Sequence, residues 1–184
     1  MRRSRTPQIG LDSQCLSYLL DGIAGISEPT DTLPTESLAD EKIALLRSWF
    51  YGSGTFTLTQ MVVSEVAKIP NEERRQLHQS FMRTLFLDYP VRTPDAVQAR
   101  AKQFQTKHPK LNDCSLLAEA EELGLDVLLT YDNDFWKRLQ NVSATTRLVK
   151  PSIHWIGLGV PHGAQPRTVP HGTNPLSPQV WWRW

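Results

Sequence analysis

Four acidic residues stand where a folded chain could bring them together. Asp12 and Asp132 each follow a short apolar run that is typical of a β-strand, whereas Glu65 and Asp113 lie in helix-like segments. In an open parallel sheet the ligand crevice lies outside the carboxyl ends of the strands, so acids that are distant in sequence can converge there. Convergent carboxylates repel one another unless a cation lies between them, and hard oxygen ligands suit Mg²⁺ or Mn²⁺. The pattern therefore predicts metal-assisted hydrolysis of phosphodiester bonds.

Asp113 is the strongest single candidate. Helical spacing places it on the same stripe as Leu116, Leu117 and Ala120, so its carboxylate should face inward and need a partner. The first turn of a helix supplies part of that partner through its positive end, and a metal ion would complete it. The alternative is that Asp113, or Asn112 before it, only caps the helix.

Glu65 adjoins an apolar line formed by Val62, Val66 and Ile69, so it should tilt toward the buried side of its helix. A glutamate in contact only with water would fit better on the opposite face. The alternative is a boundary glutamate that pairs with a nearby cation such as Lys68.

Asp12 and Asp132 also have simpler explanations, as a helix N-cap and a turn former. Four acids from four elements, each at a strand end or a helix start, are harder to explain by capping alone. Asp134 is a fifth acid, which could bind the metal directly or support Asp132. The hydroxyls of Ser13 and Thr130 could orient carboxylates or water, although ordinary turn hydrogen bonds are an equally good explanation.

The elements that must position these residues alternate between strand and helix signals, which predicts an α/β domain with a mostly parallel sheet. A Pro-, Thr- and Asp-rich loop is predicted over 27–34, and Gly52 and Gly54 should end the second helix. The predicted strands cover residues 8–11, 55–59, 89–91, 126–130 and 146–149. The predicted helices cover residues 15–20, 38–50, 61–69, 70–87, 94–107, 111–124 and 135–139.

The composition fits one globular domain with a substantial core, since 40% of the 184 residues are hydrophobic and 21% are charged. We expect this domain to span residues 1–156. Residues 157–184 form a Pro/Gly-rich tail that ends in Trp181, Trp182 and Trp184. Disorder is the default expectation for such a tail, but exposed indoles are costly, so they could dock on this subunit or another chain.

Charge and cysteine content narrow the class of protein further. The net charge of +1 neither requires nor excludes a nucleic-acid partner. Cys15 and Cys114 adjoin apolar helical segments, which favours buried, reduced thiols. The basic start at residues 1–7 lacks the apolar region of a signal peptide, and no segment is long enough to span a bilayer. The sequence thus predicts a cytoplasmic protein without membrane association.

An RNA substrate would be held by cations around the acidic pocket. The basic residues nearest in sequence to the acidic segments are Arg100, Lys102, Lys107, Lys110, Lys137 and Arg138.

The five histidines show no metal-ligand spacing, so no catalytic role is assigned to them.

Four strings of residues, taken in order, resemble a known family. They are Ile9-Gly10-Leu11-Asp12-Ser13, Ser64-Glu65-Val66, Leu111-Asn112-Asp113-Cys114-Ser115 with Ala118 and Ala120, and Leu128-Leu129-Thr130-Tyr131-Asp132-Asn133-Asp134-Phe135. Across roughly residues 8–155 the chain is similar to PIN domains, and most similar to VapC-type toxins of toxin-antitoxin systems. The last string is the most specific part of the match.

The resemblance implies a three-layer α/β/α fold and an endoribonuclease that depends on Mg²⁺ or Mn²⁺. By position, Asp12, Glu65, Asp113 and Asp132 fall on the family's acidic quartet. The resemblance also implies a homodimer that is inhibited by a cognate antitoxin protein. Three alternatives remain at this stage: an RNA-processing PIN nuclease without an antitoxin, an inactive PIN-like binding protein, and a receiver-like phospho-acceptor domain.

Overall fold

A computed structural model of the chain describes residues 5–24, 36–166 and 184. Within these residues a central sheet of five strands carries helices on its faces, which confirms the predicted α/β/α class. The strands are β1 (Gln8–Leu11), β2 (Thr55–Leu58), β3 (Leu87–Asp88), β4 (Val127–Leu129) and β5 (Arg147–Val149). The helices are α1 (Ser13–Ile23), α2 (Glu36–Tyr51), α3 (Gln60–Val66), α4 (Glu72–Leu85), α5 (Pro94–Gln105), α6 (Leu111–Glu122), α7 (Asn133–Leu139) and α8 (Pro151–Gly157).

The order of strands across the sheet is β3-β2-β1-β4-β5, and all four pairings are parallel. The chain builds one half of the sheet outward from β1 and then returns to add β4 on the other side of β1. The direction of winding therefore changes between β1 and β4, where Leu11 pairs with Leu129. A crevice outside the carboxyl ends of these two strands is the expected ligand site of such a sheet.

This strand order contradicts the receiver-like alternative. Receiver-type domains place their strands in the order 2-1-3-4-5, whereas here β2 lies between β1 and β3.

The core consists of aliphatic and aromatic side chains that the sheet and its helices enclose. All three residues of β4 are buried, because helices cover both faces of a central parallel strand. Leu16, Leu19 and Leu20 form the buried face of α1, and Phe104 and Phe135 are fully enclosed. Cys15 and Cys114 are both buried and free of any disulfide, as the sequence indicated.

Two glycines end helices for identifiable reasons. A Cβ atom at Gly52 would lie 2.4 Å from the carbonyl oxygen of Ser48, so only glycine fits where α2 ends. Gly124 follows α6 with a φ of 67°, which lies in the left-handed region that glycine adopts without strain.

The third strand and the last helix differ from the sequence prediction. The prediction of a strand at 89–91 is wrong, since β3 occupies Leu87–Asp88 and pairs with β2 there. Pro90 has no amide hydrogen to donate to a neighbouring strand, which explains why β3 ends before it. The helix α8 was not predicted, although Pro151 at its first turn is a recognised start signal. The predicted loop at 27–34 lies outside the described residues.

Trp184, the last of the tail tryptophans, docks on the chain itself. Its indole nitrogen donates a hydrogen bond of 2.9 Å to the carbonyl of Val160, and its ring stacks on His162 with 4.2 Å between centroids. Trp155 meets it edge-on at 5.1 Å, and the guanidinium of Arg47 lies 4.4 Å from its ring centre. Trp181 and Trp182 lie outside the described residues, and the division of the chain at residue 156 stays a prediction.

His154 in α8 should make the fold sensitive to acid. Burial, assisted by the charge of Arg147, lowers the pKa of His154 to about 4, so the folded chain resists protonation that the unfolded chain accepts near pH 6.5. Stability from this residue is complete above pH 6.5 and is lost as the pH falls toward 4. We expect the free energy of unfolding to drop by about 2 kcal/mol between pH 7.5 and pH 5 through His154 alone.

Urea unfolding of the parent and of His154→Leu at both pH values measures the contribution of His154 to the free energy of unfolding. The variant should lose about 2 kcal/mol less than the parent between the two pH values. Equal losses in the two proteins would contradict the assignment.

Candidate active site

Asp12 lies directly after β1 and is buried. Its Oδ1 accepts a hydrogen bond of 2.6 Å from the amide of Cys15, so Asp12 is the N-cap of α1. The hydroxyl of Thr130 and the backbone of Tyr131 also bond to the carboxylate. Burial raises the pKa of Asp12 above its usual value, although these hydrogen bonds oppose the rise. A buried carboxylate with a raised pKa is costly to ionise, and a cation beside it would offset that cost.

Asp132 has the matching position after β4. Its Oδ1 accepts hydrogen bonds from the amides of Asp134 and Phe135, at 2.8 and 3.0 Å, and so caps α7. Its Oδ2 receives a hydrogen bond of 2.7 Å from Nζ of Lys110. Burial alone would raise the pKa of Asp132, but the bond from Lys110 and the backbone bonds lower it below the usual value. The capping alternative for Asp12 is therefore real, and Asp132, for which the sequence suggested a turn, caps a helix as well. Both acids also stand at the switch between β1 and β4.

Asp113 does not cap its helix, because the N-cap of α6 is Lys110 and the carboxylate points to other groups. Its Oδ2 lies 2.7 Å from Nε2 of His108 and 3.9 Å from Nζ of Lys110. His108 is buried, and its ring stacks on Phe135 at 5.9 Å. The same oxygen of Asp113 is thus at hydrogen-bond distance from an imidazole and within ion-pair distance of the ammonium that binds Asp132.

Sequence reasoning missed His108, since a lone histidine before a helix carries no ligand spacing. Its position five residues before the strongest acid, on the loop that leads into α6, was the available signal. Lys110 was predicted as an RNA contact. In the structure its ammonium pairs with Asp113 and Asp132, and its role in binding RNA stays a prediction.

Glu65 is half-buried on α3, as its apolar neighbours indicated. Its Oε1 receives a long hydrogen bond of 3.5 Å from the amide nitrogen of Asn112, which precedes Asp113 in α6. Among the described residues no ion pair joins Glu65 to Lys68. The simple pairing alternative is therefore not what the structure shows.

A buried acid that the sequence analysis did not select holds the start of α3. The Oε2 of Glu119 accepts a hydrogen bond of 2.8 Å from the amide of Met61, and Thr59 and Gln60 bond to the same carboxylate. Thr59 is itself the N-cap of α3. Burial raises the pKa of Glu119, in part offset by these bonds. A charged residue inside the apolar stretch of α6 was the signal, and its effect is to fix the helix that carries Glu65.

Taken together, the acids form a chain of contacts at one end of the sheet. The hydroxyl of Thr130 joins Asp12 to Asp132, since it bonds to the first carboxylate and accepts a hydrogen bond of 3.0 Å from the amide of the second residue. Lys110 joins Asp132 to Asp113. Glu65 connects only indirectly, through Asn112. In the described part of the chain no three acids, histidines or cysteines stand close enough together to form a complete metal site.

The donor set nevertheless fits a hard divalent cation in its chemistry, since carboxylate oxygens are the ligands that Mg²⁺ and Mn²⁺ prefer. The ammonium of Lys110 already supplies one positive charge between Asp113 and Asp132. The hydrogen bond to Asp132, together with the charges of the nearby acids, raises the pKa of Lys110. The arrangement therefore attracts positive charge at the place where the sequence predicted a metal. Asp134 is exposed beside it, and Ser13 begins α1 next to Asp12.

The predicted RNA-binding cations differ in their surroundings. Arg100 is engaged in a two-pronged ion pair with Glu121, at 2.7 and 3.0 Å, and lies over the ring of Phe104. The remaining members of the set are exposed, and their role in binding RNA stays a prediction. They are Lys102, Lys107, Lys137 and Arg138.

Comparisons with known proteins identify the family of this chain. One solved structure with a similar shape is that of VapBC2 from Rickettsia felis bound to a DNA fragment from its promoter, at 14% identity and a TM-score of 0.48, which covers 77% of this chain and 97% of that one. The comparison with curated proteins found no match. No helix among the described residues has both the length and the apolar character needed to cross a membrane. The family model of the PIN domain matches residues 35–141, more than half of the sequence. PIN domains are generally nucleases that depend on divalent metals, and this chain belongs to the PIN domain family.

Proposed function

We propose that the protein is an endoribonuclease that hydrolyses RNA phosphodiester bonds with the help of Mg²⁺ or Mn²⁺. The observation that carries this proposal is the meeting of Asp113 and Asp132 on one ammonium group at the carboxyl end of the sheet, with Asp12 joined to them through Thr130. Family membership supports the nuclease class. The choice of RNA rests on the resemblance to VapC-type toxins.

Each acid has a distinct part in the proposed site. Asp12, Asp113 and Asp132 would hold the metal, Glu65 would complete the set from α3, and Asp134 would serve as a further ligand. When bound, a divalent ion polarises the phosphate and lowers the pKa of an attacking water. Because the ion and Lys110 would compete for the same oxygens, the ammonium is free to move to a phosphate when the ion binds.

The supporting residues keep the ligands in place. Thr130 orients Asp12 and Asp132, and His108 fixes the carboxylate of Asp113 from a buried position. Asn112 links α6 to Glu65, and Ser13 offers a hydroxyl beside Asp12. Such outer partners hold ligands in one orientation and so reduce the reorganisation that metal binding requires.

We also propose that the nuclease is the toxin of a toxin-antitoxin pair, acts as a homodimer and is inhibited by a cognate antitoxin. These three points rest on the resemblance in the acidic strings. Expression of the parent chain should arrest bacterial growth, and expression of an Asp132→Asn variant should not. Normal growth with an active nuclease would favour an RNA-processing enzyme without an antitoxin.

Removal of divalent metal should abolish cleavage. We expect the parent protein to cut at least one member of a panel of structured and single-stranded RNAs with Mn²⁺ or Mg²⁺, and to stop in EDTA, because the proposed mechanism needs the ion to polarise the phosphate and to lower the pKa of the attacking water. The measurement is gel analysis of end-labelled RNA. Excess Mn²⁺ added after EDTA should restore cutting. Cleavage that persists in EDTA would contradict the metal-dependent mechanism, and cleavage of DNA alone would contradict the choice of substrate.

A further inference from the structure

A polar cleft opens beside the acidic site. It has a volume of about 460 Å³ and includes one of the proposed metal ligands, Glu65, in its wall. The first turns of α1 supply Ser13, Gln14 and Ser17, so hydroxyl and amide groups face the opening. The remaining lining residues are Tyr18, Val66, Ile69 and Arg74. We call it the side cleft. Its lining combines polar hydrogen-bonding groups with one carboxylate and one guanidinium.

Arg74 is the basic residue of the described lining, and buried groups fix its position. Its Nη2 donates to Oδ2 of Asp21 at 2.5 Å, while Oδ1 of Asp21 lies 3.0 Å from Nε2 of His78. The side chain of His78 is fully buried and that of Asp21 is 10% exposed, whereas 46% of the Arg74 side chain remains exposed. His78 and Asp21 are thus part of the core between α1 and α4, and Arg74 extends from them to the side cleft.

A guanidinium held in this way is pre-organised to bind an anion. Its planar fork binds phosphate through two parallel hydrogen bonds, and only Nη2 is engaged by a side chain within the described residues. Because Asp21 already restricts its rotation, Arg74 loses less conformational entropy on binding than a free surface arginine would.

We propose that Arg74 and the side cleft bind a backbone phosphate of the RNA substrate, adjacent to the phosphate that is cleaved. This inference rests on the proposed ribonuclease function. A scissile phosphate held by the proposed ligands would bring the neighbouring nucleotide close to Glu65, and the side cleft shares that residue. The hydroxyls of Ser13 and Ser17, one helical turn apart, lie on the same face of α1 and offer bonds to a phosphate or a ribose. Phosphate is favoured over a protein carboxylate because single-stranded RNA presents one anion for every nucleotide.

The test measures binding of labelled 2′-O-methyl RNA by fluorescence anisotropy, with all proteins carrying Asp113→Asn to prevent cleavage. We expect Arg74→Gln to raise the Kd about tenfold and to reduce the slope of log affinity against log salt by about 0.7, the value for one lost phosphate contact on a single strand. Arg83→Gln removes an exposed arginine from the last turn of the same helix and should leave both quantities unchanged. Arg74→Lys keeps the charge without the fork and should weaken binding less than Arg74→Gln.

A set of RNAs, each with one neutral methylphosphonate linkage, locates the contact and separates it from a loss of folding. One linkage should weaken binding to the parent about tenfold and have no further effect on Arg74→Gln. A structural role of Arg74 would not produce this position-specific coupling.

Equal affinity and equal salt slope in the parent and in Arg74→Gln would overturn the phosphate site, leave the nuclease intact and point to an acidic peptide as the ligand of Arg74. A protein without Asp113→Asn that neither binds nor cuts RNA would instead overturn the proposed function, and the phosphate site with it.

Discussion

The Asp113→Asn variant should lose RNA cleavage by a factor of about 10³ or more while it keeps the parent fold. The carboxylate contacts His108 and Lys110 and has no capping role, so an amide of the same size leaves α6 intact. What the variant loses is the negative charge that we propose binds the metal. Single-turnover cleavage rates at saturating protein measure the loss of activity, and circular dichroism of both proteins measures whether the fold is kept.

The matched control is Asp95→Asn, which makes the same change in the first turn of the neighbouring helix α5, at an exposed position. It should cut RNA at the parent rate. If Asp113→Asn cuts as fast as Asp95→Asn, the assignment of the acidic site is wrong.

The Glu119→Ala variant should lose cleavage about 10- to 100-fold, the range seen when groups that support metal ligands are removed. Its carboxylate accepts the bond from Met61 and, with Thr59, fixes the start of α3, which carries Glu65. Removal leaves a partly buried amide without its acceptor and also lowers the free energy of unfolding by about 1–3 kcal/mol. Glu119 is a positioning residue, because its described contacts lie with α3 rather than with the four acids.

A positioning role predicts a specific kinetic pattern. Glu119→Gln keeps an acceptor for the amide of Met61 and should recover most of the lost stability and activity. Excess Mn²⁺ should partly rescue Glu119→Ala, since a displaced Glu65 weakens metal binding without removing a ligand, and it should not rescue Asp113→Asn. Equal rates for Glu119→Ala and the parent would show that α3 needs no support from α6.

Local signals predicted the elements of the fold where the pattern was strong. The strands β1 and β4 are short, mostly apolar runs that lead to Asp12 and, three residues on, to Asp132, and burial in the centre of a parallel sheet favours such a composition. The helix α8 escaped detection because its apolar residues do not mark its buried face: Ile153 and Ile156 are exposed, whereas His154 is buried. The edge strand β3 has two exposed residues, so its position depends on pairing with β2 rather than on its own sequence.

For the candidate site, the sequence indicated the acids but not what holds them. Strand ends and helix starts are local features, and they identified Asp12, Asp113 and Asp132 as candidates. Their partners come from distant parts of the chain: Lys110 is 22 residues from Asp132, and Met61 is 58 residues from Glu119. Such pairs arise only when the sheet and its helices are assembled, and no spacing rule in a single sequence reveals them. Whether all four acids bind one metal site stays a prediction.

The capping bonds of Asp12 and Asp132 have a consequence for the choice of ion. One oxygen of each carboxylate accepts backbone hydrogen bonds at a helix start, so we expect a metal to bind each residue mainly through the other oxygen. Monodentate ligands suit a small octahedral ion that retains part of its hydration shell, as Mg²⁺ and Mn²⁺ do. Ca²⁺ requires more oxygen ligands, often from bidentate carboxylates, so we expect the proposed site to bind it less well than Mg²⁺ or Mn²⁺.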